Sequence, residues 1–399
     1  MPLTLSNKAL GVKPSSTLAI TAKAKEMAAA GVDIVGFTAG EPDFNTPNSI
    51  NEVAMQAIQD GVTKYTPACG TLELRKAVCE KFKSFNGLSY QPTQIVISNG
   101  AKHSLSNIFD ALLNPGDEVI IPVPYWITYP EIVKLADGIP VYVHGEKENA
   151  YKVTAAQIVA AVTAKTKILI LNSPNNPTGA VYSKEELQEI ANLAITHDFY
   201  VIADEIYEHL IYGDKEHVSI ASLGPEIYER TITVSGVSKS YAMTGWRIGY
   251  TGSNFEIATV MSNLQSHKTS NPNSIAQKAT IEALQGEQTA LEKMKQAFEE
   301  RRNYMYERLV KMPYLDVLPP EGAFYVFIDI KEVTGKTHQG RVIATAQEFA
   351  EILLEKYQVV VVLCDDFGAE NHIRLSYAIS LEEIQKGLDR VGDFLRKLQ

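Results

Sequence analysis

Between Ile95 and Gly252 the chain repeats one theme: a short β-branched run, a cluster of turn residues, then a helical pattern. The runs are Ile95-Val96-Ile97, Val119-Ile120-Ile121, Ile168-Leu169-Ile170-Leu171, Tyr200-Val201-Ile202, Thr231-Ile232-Thr233-Val234 and Ile248-Gly249-Tyr250. Apolar runs without polar alternation predict strands buried on both faces, and helices between them require crossover connections. The fold class expected is therefore α/β, a large domain whose mostly parallel sheet is sandwiched by helices. One crossover helix is marked by a capping box, Ser183 with Glu186, ahead of Leu187, Ile190, Ala191 and Ala194.

A second pattern begins near Thr289, with Leu291, Met294, Phe298, Met305 and Leu309 at helical spacing, and Pro313 ends it. Beyond it, runs at 323–330, 359–363 and 373–377 read as strands and 347–356 as a helix, which predicts a smaller α/β domain after a boundary near residue 285. A chain of 399 residues, 45% hydrophobic, can bury its core without disulfides or a structural metal. Its formal net charge of -10 is a poor match for a polyanion, so no nucleic-acid partner is expected. Cys69, Cys79 and Cys364 form no CxxC pair and leave an odd thiol, which suits a reducing, cytoplasmic setting. No apolar run approaches the roughly 20 residues of a membrane helix, and residues 1–10 lack a secretory pattern.

In an open parallel sheet, ligands bind beyond the carboxyl ends of the strands. The unusual residues of this chain fall there: Ser98-Asn99-Gly100-Ala101-Lys102, Pro124-Tyr125-Trp126, Asn172 to Gly179, Asp204-Glu205-Ile206-Tyr207 and Ser235-Gly236-Val237-Ser238-Lys239. Each alone also reads as a turn, a core aromatic or an exposed lysine. Five such loops on one sheet edge point to a binding site. Other chemistries lack their motifs. Gly335-Lys336-Thr337 resembles the end of a P-loop, but position 330 is Ile where that pattern needs glycine, and neither HExxH nor GxSxG occurs. No metal is expected.

The stretch from Ser238 to Gly249, Ser-Lys-Ser-Tyr-Ala-Met-Thr-Gly-Trp-Arg-Ile-Gly, closely resembles the lysine motif of fold-type I, class I aminotransferases that use pyridoxal phosphate. The likeness extends from Lys13-Pro14-Ser15, through Thr38 to Phe44 and Asn175 to Gly179, to Arg374-Leu375-Ser376-Tyr377. Within that superfamily the chain is most similar to subgroup Ib, the bacterial-type aspartate aminotransferases, whose relatives include prephenate aminotransferases. The resemblance implies an N-terminal segment (1–45) packing with the small domain, a large cofactor domain (46–285) and a small C-terminal domain (286–399).

It also implies roles, which the chemistry of each side chain suits. Lys239 is the lysine that forms an aldimine with the cofactor and then moves the proton, since lysine is readily made neutral by desolvation. Asp204 keeps the ring nitrogen protonated. Tyr207 and Asn176 hold the phenolic oxygen, and Trp126 stacks on the ring. Gly100, Ala101, Lys102, Ser238 and Arg247 bind the phosphate at a helix N-terminus. The family often has serine three residues before the lysine, where this chain has Gly236, and Pro-Gly where Leu363-Cys364 stand.

Arg374 matches the arginine that grips the substrate α-carboxylate, joined by the Gly40 backbone, with Trp126 and Asn176 beside it. Lys102, Ser15 and Thr17 match positions that bind the side-chain carboxylate. Lys64-Tyr65-Thr66 resembles the segment whose tyrosine reaches the phosphate of a neighbouring subunit, implying a homodimer with shared sites. The implied reaction is ping-pong transfer of the amino group from aspartate to 2-oxoglutarate, with prephenate as a further acceptor. Aromatic or alanine aminotransferases, carbon-sulfur lyases and cyclopropane-forming synthases share the same lysine. A sensor module of a transcription regulator needs a DNA-binding domain, and only twelve residues precede Lys13.

Overall fold

The computed structural model describes residues 5–12 and 17–399. Seven strands form the central sheet: β1 (Ile95–Ser98), β2 (Glu118–Val123), β3 (Ile139–His144), β4 (Thr166–Asn172), β5 (Tyr200–Asp204), β6 (Thr231–Gly236) and β7 (Gly249–Gly252). Their order is β1-β7-β6-β5-β4-β2-β3. Pairing is parallel from β3 across to β6, and β7 runs antiparallel to both of its neighbours. All six runs read from the sequence are strands here. β3 is the addition. Pro140 and the exposed Ile139 and Tyr142 disguise it, and as an edge strand paired only to β2 it tolerates a missing donor and open side chains.

Helices cover both faces. Helix α1 (Ala101–Leu112) follows β1, and α2 (Lys184–Thr196) follows β4. The α2 capping box is formed: Glu186 N–H donates to Ser183 Oγ at 3.3 Å, and Ser183 N–H donates to Glu186 Oε2 at 2.7 Å. Its four apolar residues pack with Leu169 and Val201 of the sheet. Burial of several such side chains at roughly 1.5–3 kcal/mol each far exceeds the ~1 kcal/mol of a cap, so the cap sets the boundary and packing sets the position.

Helix α3 (Thr289–Leu309) buries the five apolar residues expected of it. It leads to an antiparallel sheet of β8 (Asp316–Val317), β9 (Tyr325–Asp329), β10 (Val362–Leu363) and β11 (His372–Ser376), ordered β10-β11-β9-β8. Helices α4 (Ala346–Tyr357) and α5 (Leu381–Arg396) complete this part. The strand expected at 359–363 divides. Val359–Val360 pairs in parallel with Val35–Gly36, whereas β10 pairs with β11. All five residues are buried, and an unbroken apolar run carries no mark of which sheet each residue joins.

Phe37 N–H donates to Val360 O at 2.9 Å, and Ser376 N–H donates to Phe37 O at 2.9 Å. The segment around residue 37 is thus stitched to the C-terminal sheet, and it carries Gly40 and Glu41 over the carboxyl edge of the large sheet. Among the described residues no helix is long and apolar enough to cross a membrane.

Candidate active site

A cavity of about 600 Å³ opens where β1, β4, β5 and β6 end, and Gly40, Glu41, Tyr325, Phe367 and Arg374 close it from the other side. Asp204, the last residue of β5, lies in its floor. Tyr129 Oη donates to Asp204 Oδ2 at 2.7 Å and Ile206 N–H to Oδ1 at 3.3 Å. Burial outweighs both donors and pushes the carboxyl up to about 6. A desolvated carboxyl with no cation in hydrogen-bond contact among the described residues is suited to receive a positively charged N–H.

Lys239 reaches the same space from the loop after β6, its Nζ donating to Gly40 O at 2.5 Å. Burial, opposed by Glu41 and reinforced by Arg374 and Arg247, brings its ammonium down to about 8. An appreciable fraction is therefore uncharged near neutrality, as a nucleophilic amine requires. Tyr207 is buried, with its hydroxyl 3.0 Å from that of Tyr325.

The start of α1 forms an anion cradle. Gly100 has φ +85°, and a Cβ there would lie 2.3 Å from Arg247 Nη2, so glycine lets the guanidinium lie against the helix N-terminus. Arg247 itself adopts φ 58° and donates through Nη1 to Thr244 O at 2.8 Å. Ala101, Lys102 and Ser238 line the cavity beside it. Backbone amides, a hydroxyl and a fixed guanidinium make a donor set for a phosphate.

Arg374, 7% exposed on β11, forms a second anion site. Its Nη1 donates to Asn176 Oδ1 at 2.8 Å, and its guanidinium carbon sits 4.1 Å above the Tyr325 ring. Its buried Nε has no partner among the described residues, so the fork retains donor capacity for a carboxylate. Lys102 Nζ lies 5.0 Å from the centre of the Trp126 ring, its pKa lowered by burial and then by Arg247.

Of the residues named from sequence, Gly40, Ala101, Lys102, Trp126, Asn176, Asp204, Tyr207, Ser238, Lys239, Arg247 and Arg374 line this one cavity, and Gly100 abuts Arg247 beneath it. Tyr65 does not. It is 90% exposed on the outside of the chain. Ser15 and the side chain of Thr17 fall outside the described residues. Ser235 is buried and donates to Glu208 Oε1, and a Cβ on Gly236 would lie 2.9 Å from Ile248 O, so a side chain at that position would force its neighbours to shift. At the Leu363-Cys364 departure, Cys364 N–H bonds to His372 O at 3.0 Å and its thiol is buried.

Sequence reasoning passed over Tyr129 and Tyr325, which hold Asp204 and Tyr207 respectively. Tyr129 follows Trp126 by one helical turn, a usable signal. Tyr325 sits in an aromatic run that reads as core.

A neutralisable amine and a buried carboxyl between two sets of anion-binding donors in one cavity suit amino-group chemistry on anionic ligands. Residues 32–391 match the family described as aminotransferase class I and II. The chain belongs to that family and is an aminotransferase.

More particularly, it is 48% identical over 392 residues to an aspartate aminotransferase of a Bacillus species (strain YM-2), covering 98% of this chain and 99% of that one. It is 46% identical to the aspartate/prephenate aminotransferase of Cereibacter sphaeroides, covering 98% of each. In structure it superposes on the aspartate aminotransferase from Rhizobium meliloti with a TM-score of 0.97, at 40% identity over 100% of both chains. The Thermus thermophilus aspartate aminotransferase with maleate gives 0.92, at 44% identity over 99% of this chain and 100% of that one.

Proposed function

We propose that this protein is a pyridoxal phosphate-dependent aspartate aminotransferase that passes the amino group of aspartate to 2-oxoglutarate, with prephenate as a further acceptor. The observation that carries the reading is the convergence of Lys239 and Asp204 in one cavity between the α1 cradle and Arg374. Pyridoxal phosphate, when bound, supplies a carbonyl carbon that takes up the amino group and a ring that draws electron density from the substrate α-carbon. The residues present fit it: a buried carboxyl for a cationic ring nitrogen, an amine of lowered pKa, and a phosphate-sized donor set.

In this reading Asp204 keeps the proton on the ring nitrogen, and Tyr129 keeps Asp204 aimed. Tyr207 and Asn176 would hold the phenolic oxygen, and Trp126 would stack on the ring. Gly100, Ala101, Ser238 and Arg247 anchor the phosphate. Lys239 would hold the cofactor through its amine and, when that amine is free, would accept the proton of the substrate α-carbon. Arg374 and Asn176 grip the α-carboxylate with the Gly40 backbone, fixing which bond at the α-carbon faces Lys239. Lys102, with Ser15 and Thr17, takes the side-chain carboxylate.

The Thermus thermophilus aspartate aminotransferase was solved with maleate, a four-carbon dicarboxylate, which supports an acidic substrate here. Tyr65, projecting from one chain, suits a homodimer in which it reaches the partner's phosphate. The same reading divides the chain at residues 45 and 285. A panel of amino donors with 2-oxoglutarate and oxaloacetate as acceptors tests the assignment. Aspartate and glutamate are expected to give the highest kcat/KM; faster turnover of alanine or aromatic donors, or release of free ammonia, would overturn it.

A further inference from the structure

The turn after β5 sends its side chains two ways. Asp204 and Tyr207 enter the cavity, whereas Glu205 and Glu208 enter the interior, where they are 3% and 1% exposed. There Lys81, on the helix Leu72–Asn86, pairs with Glu208. Asn86 Nδ2 donates to Glu205 Oε2 at 2.9 Å and to Glu208 Oε2 at 2.7 Å. His217 Nε2 donates to Glu205 Oε2 at 2.9 Å, and Ser219 Oγ lies 2.6 Å from Glu205 Oε1. Ser235 Oγ donates to Glu208 Oε1 at 2.5 Å.

Glu205, Glu208 and His217 are close enough together to ligate a cation. Lys81 offsets Glu208, and Nε2 of His217 faces Glu205, while its buried Nδ1 has no hydrogen-bond partner among the described residues. Burial disfavours charge on His217, but Glu205 holds its pKa above the ordinary value; burial likewise opposes ionisation of Glu208, and Lys81 outweighs it. Folding gains little from such a group, because desolvating ions costs several kcal/mol each and apolar residues of equal volume stabilise as well. Its placement offers another use. Glu205 adjoins Asp204, Glu208 adjoins Tyr207, and Ser235 lies on β6 four residues before Lys239. The cluster joins the roots of the side chains that meet in the cavity.

We propose that Glu208, paired with Lys81 and bonded to Ser235, is a positioning residue that sets the Asp204–Tyr207 turn against the Lys239 loop, with Glu205, Asn86 and His217 bracing it. The inference rests on the roles assigned above to Asp204 and Lys239. A displacement on the order of 1 Å at the reacting atoms can cost about a hundredfold in rate, so a small relaxation of this brace is measurable.

The test uses holoenzyme of Ser235→Ala, Glu208→Gln and the charge-balanced double variant Lys81→Met with Glu208→Gln. Readouts are kcat and KM for aspartate, the pH midpoint of the bound cofactor's visible absorbance, the Kd of the cofactor-free protein for pyridoxal phosphate, and Tm. In Ser235→Ala and the double variant kcat is expected to fall roughly tenfold to a hundredfold, with KM for aspartate within about twofold of native. The midpoint should move by about half a pH unit or more, and pyridoxal phosphate should bind more weakly. If Glu208→Gln alone fails to fold, these two variants decide. Loaded variants with native kcat, midpoint and Kd, changed only in Tm, would overturn the inference. Asp204→Ala measured alongside separates the two readings. A large loss there with native behaviour in Ser235→Ala and the double variant sinks the brace alone, and native behaviour of Asp204→Ala sinks both.

Discussion

Arg374 Nη1 donates to Asn176 Oδ1 at 2.8 Å, tying the C-terminal sheet to the loop after β4 across the mouth of the cavity. The bond holds the guanidinium in one plane over Tyr325 before any substrate arrives. Under the proposed function, Asn176 would support both the cofactor ring and the carboxylate fork.

Under the proposed function Lys239 would govern loading of the cofactor, and its pKa of about 8 would set the pH dependence. Only the uncharged amine attacks, so uptake of pyridoxal phosphate by the cofactor-free protein should quicken about tenfold per pH unit below that value and level off above it. Stopped-flow absorbance follows this directly. A rate still climbing at pH 10 would mean an ordinary lysine. Lys239→Ala should show neither the absorbance nor multiple turnovers, and borohydride should fix the label on the Lys239 peptide of the native protein.

Asp204 makes the cofactor-free protein less stable as pH rises. Its carboxyl ionises near 3.8 when unfolded and about 6 when folded, so the folded state holds the proton longer and loses stability across that interval. At 1.36 kcal/mol per unit the loss relative to Asp204→Asn is on the order of 3 kcal/mol, complete by about pH 7. Denaturant titrations of both proteins from pH 4 to 7 measure it. Parallel curves would disprove it. In the holoenzyme Asp204→Ala should lower kcat by at least roughly two powers of ten, as removal of a preorganised countercharge does.

Lys102 should discriminate acidic from neutral donors. Lys102 is exposed as a residue yet desolvated enough for its pKa to be lowered, so the pair with a substrate carboxylate falls between the under ~1 kcal/mol of an exposed pair and the 3–5 kcal/mol of a buried one. Lys102→Ala is expected to reduce kcat/KM for aspartate by roughly ten- to a hundredfold and to spare alanine. An equal loss for both donors would assign Lys102 to the phosphate.

Tyr65, exposed on a single chain, should act only across a dimer. Mixing inactive Lys239→Ala protein with a disabled Tyr65→Ala protein should restore part of the activity through hybrid dimers that carry one intact site. A fully active monomer on sedimentation would end the idea.

The strands β1, β2, β4, β5, β6 and β7 and the helices α2 and α3 were legible because periodicity, capping and apolar runs are local properties of adjacent residues. The placement of Lys239 and Asp204 at one sheet edge was legible for the same reason: Asp204 ends its strand and Lys239 follows its own within a short motif. The edge strand β3, the division of 359–363 between two sheets, and the partners Tyr129 and Tyr325 were not. Each depends on which residues meet across space, as Arg374 and Asn176 do from 198 positions apart. Sequence alone determined that Lys239 is an amine and Asp204 a carboxyl. Only the tertiary structure decided that both are desolvated, and desolvation is what brings their pKa values to about 8 and about 6, within reach of neutral pH.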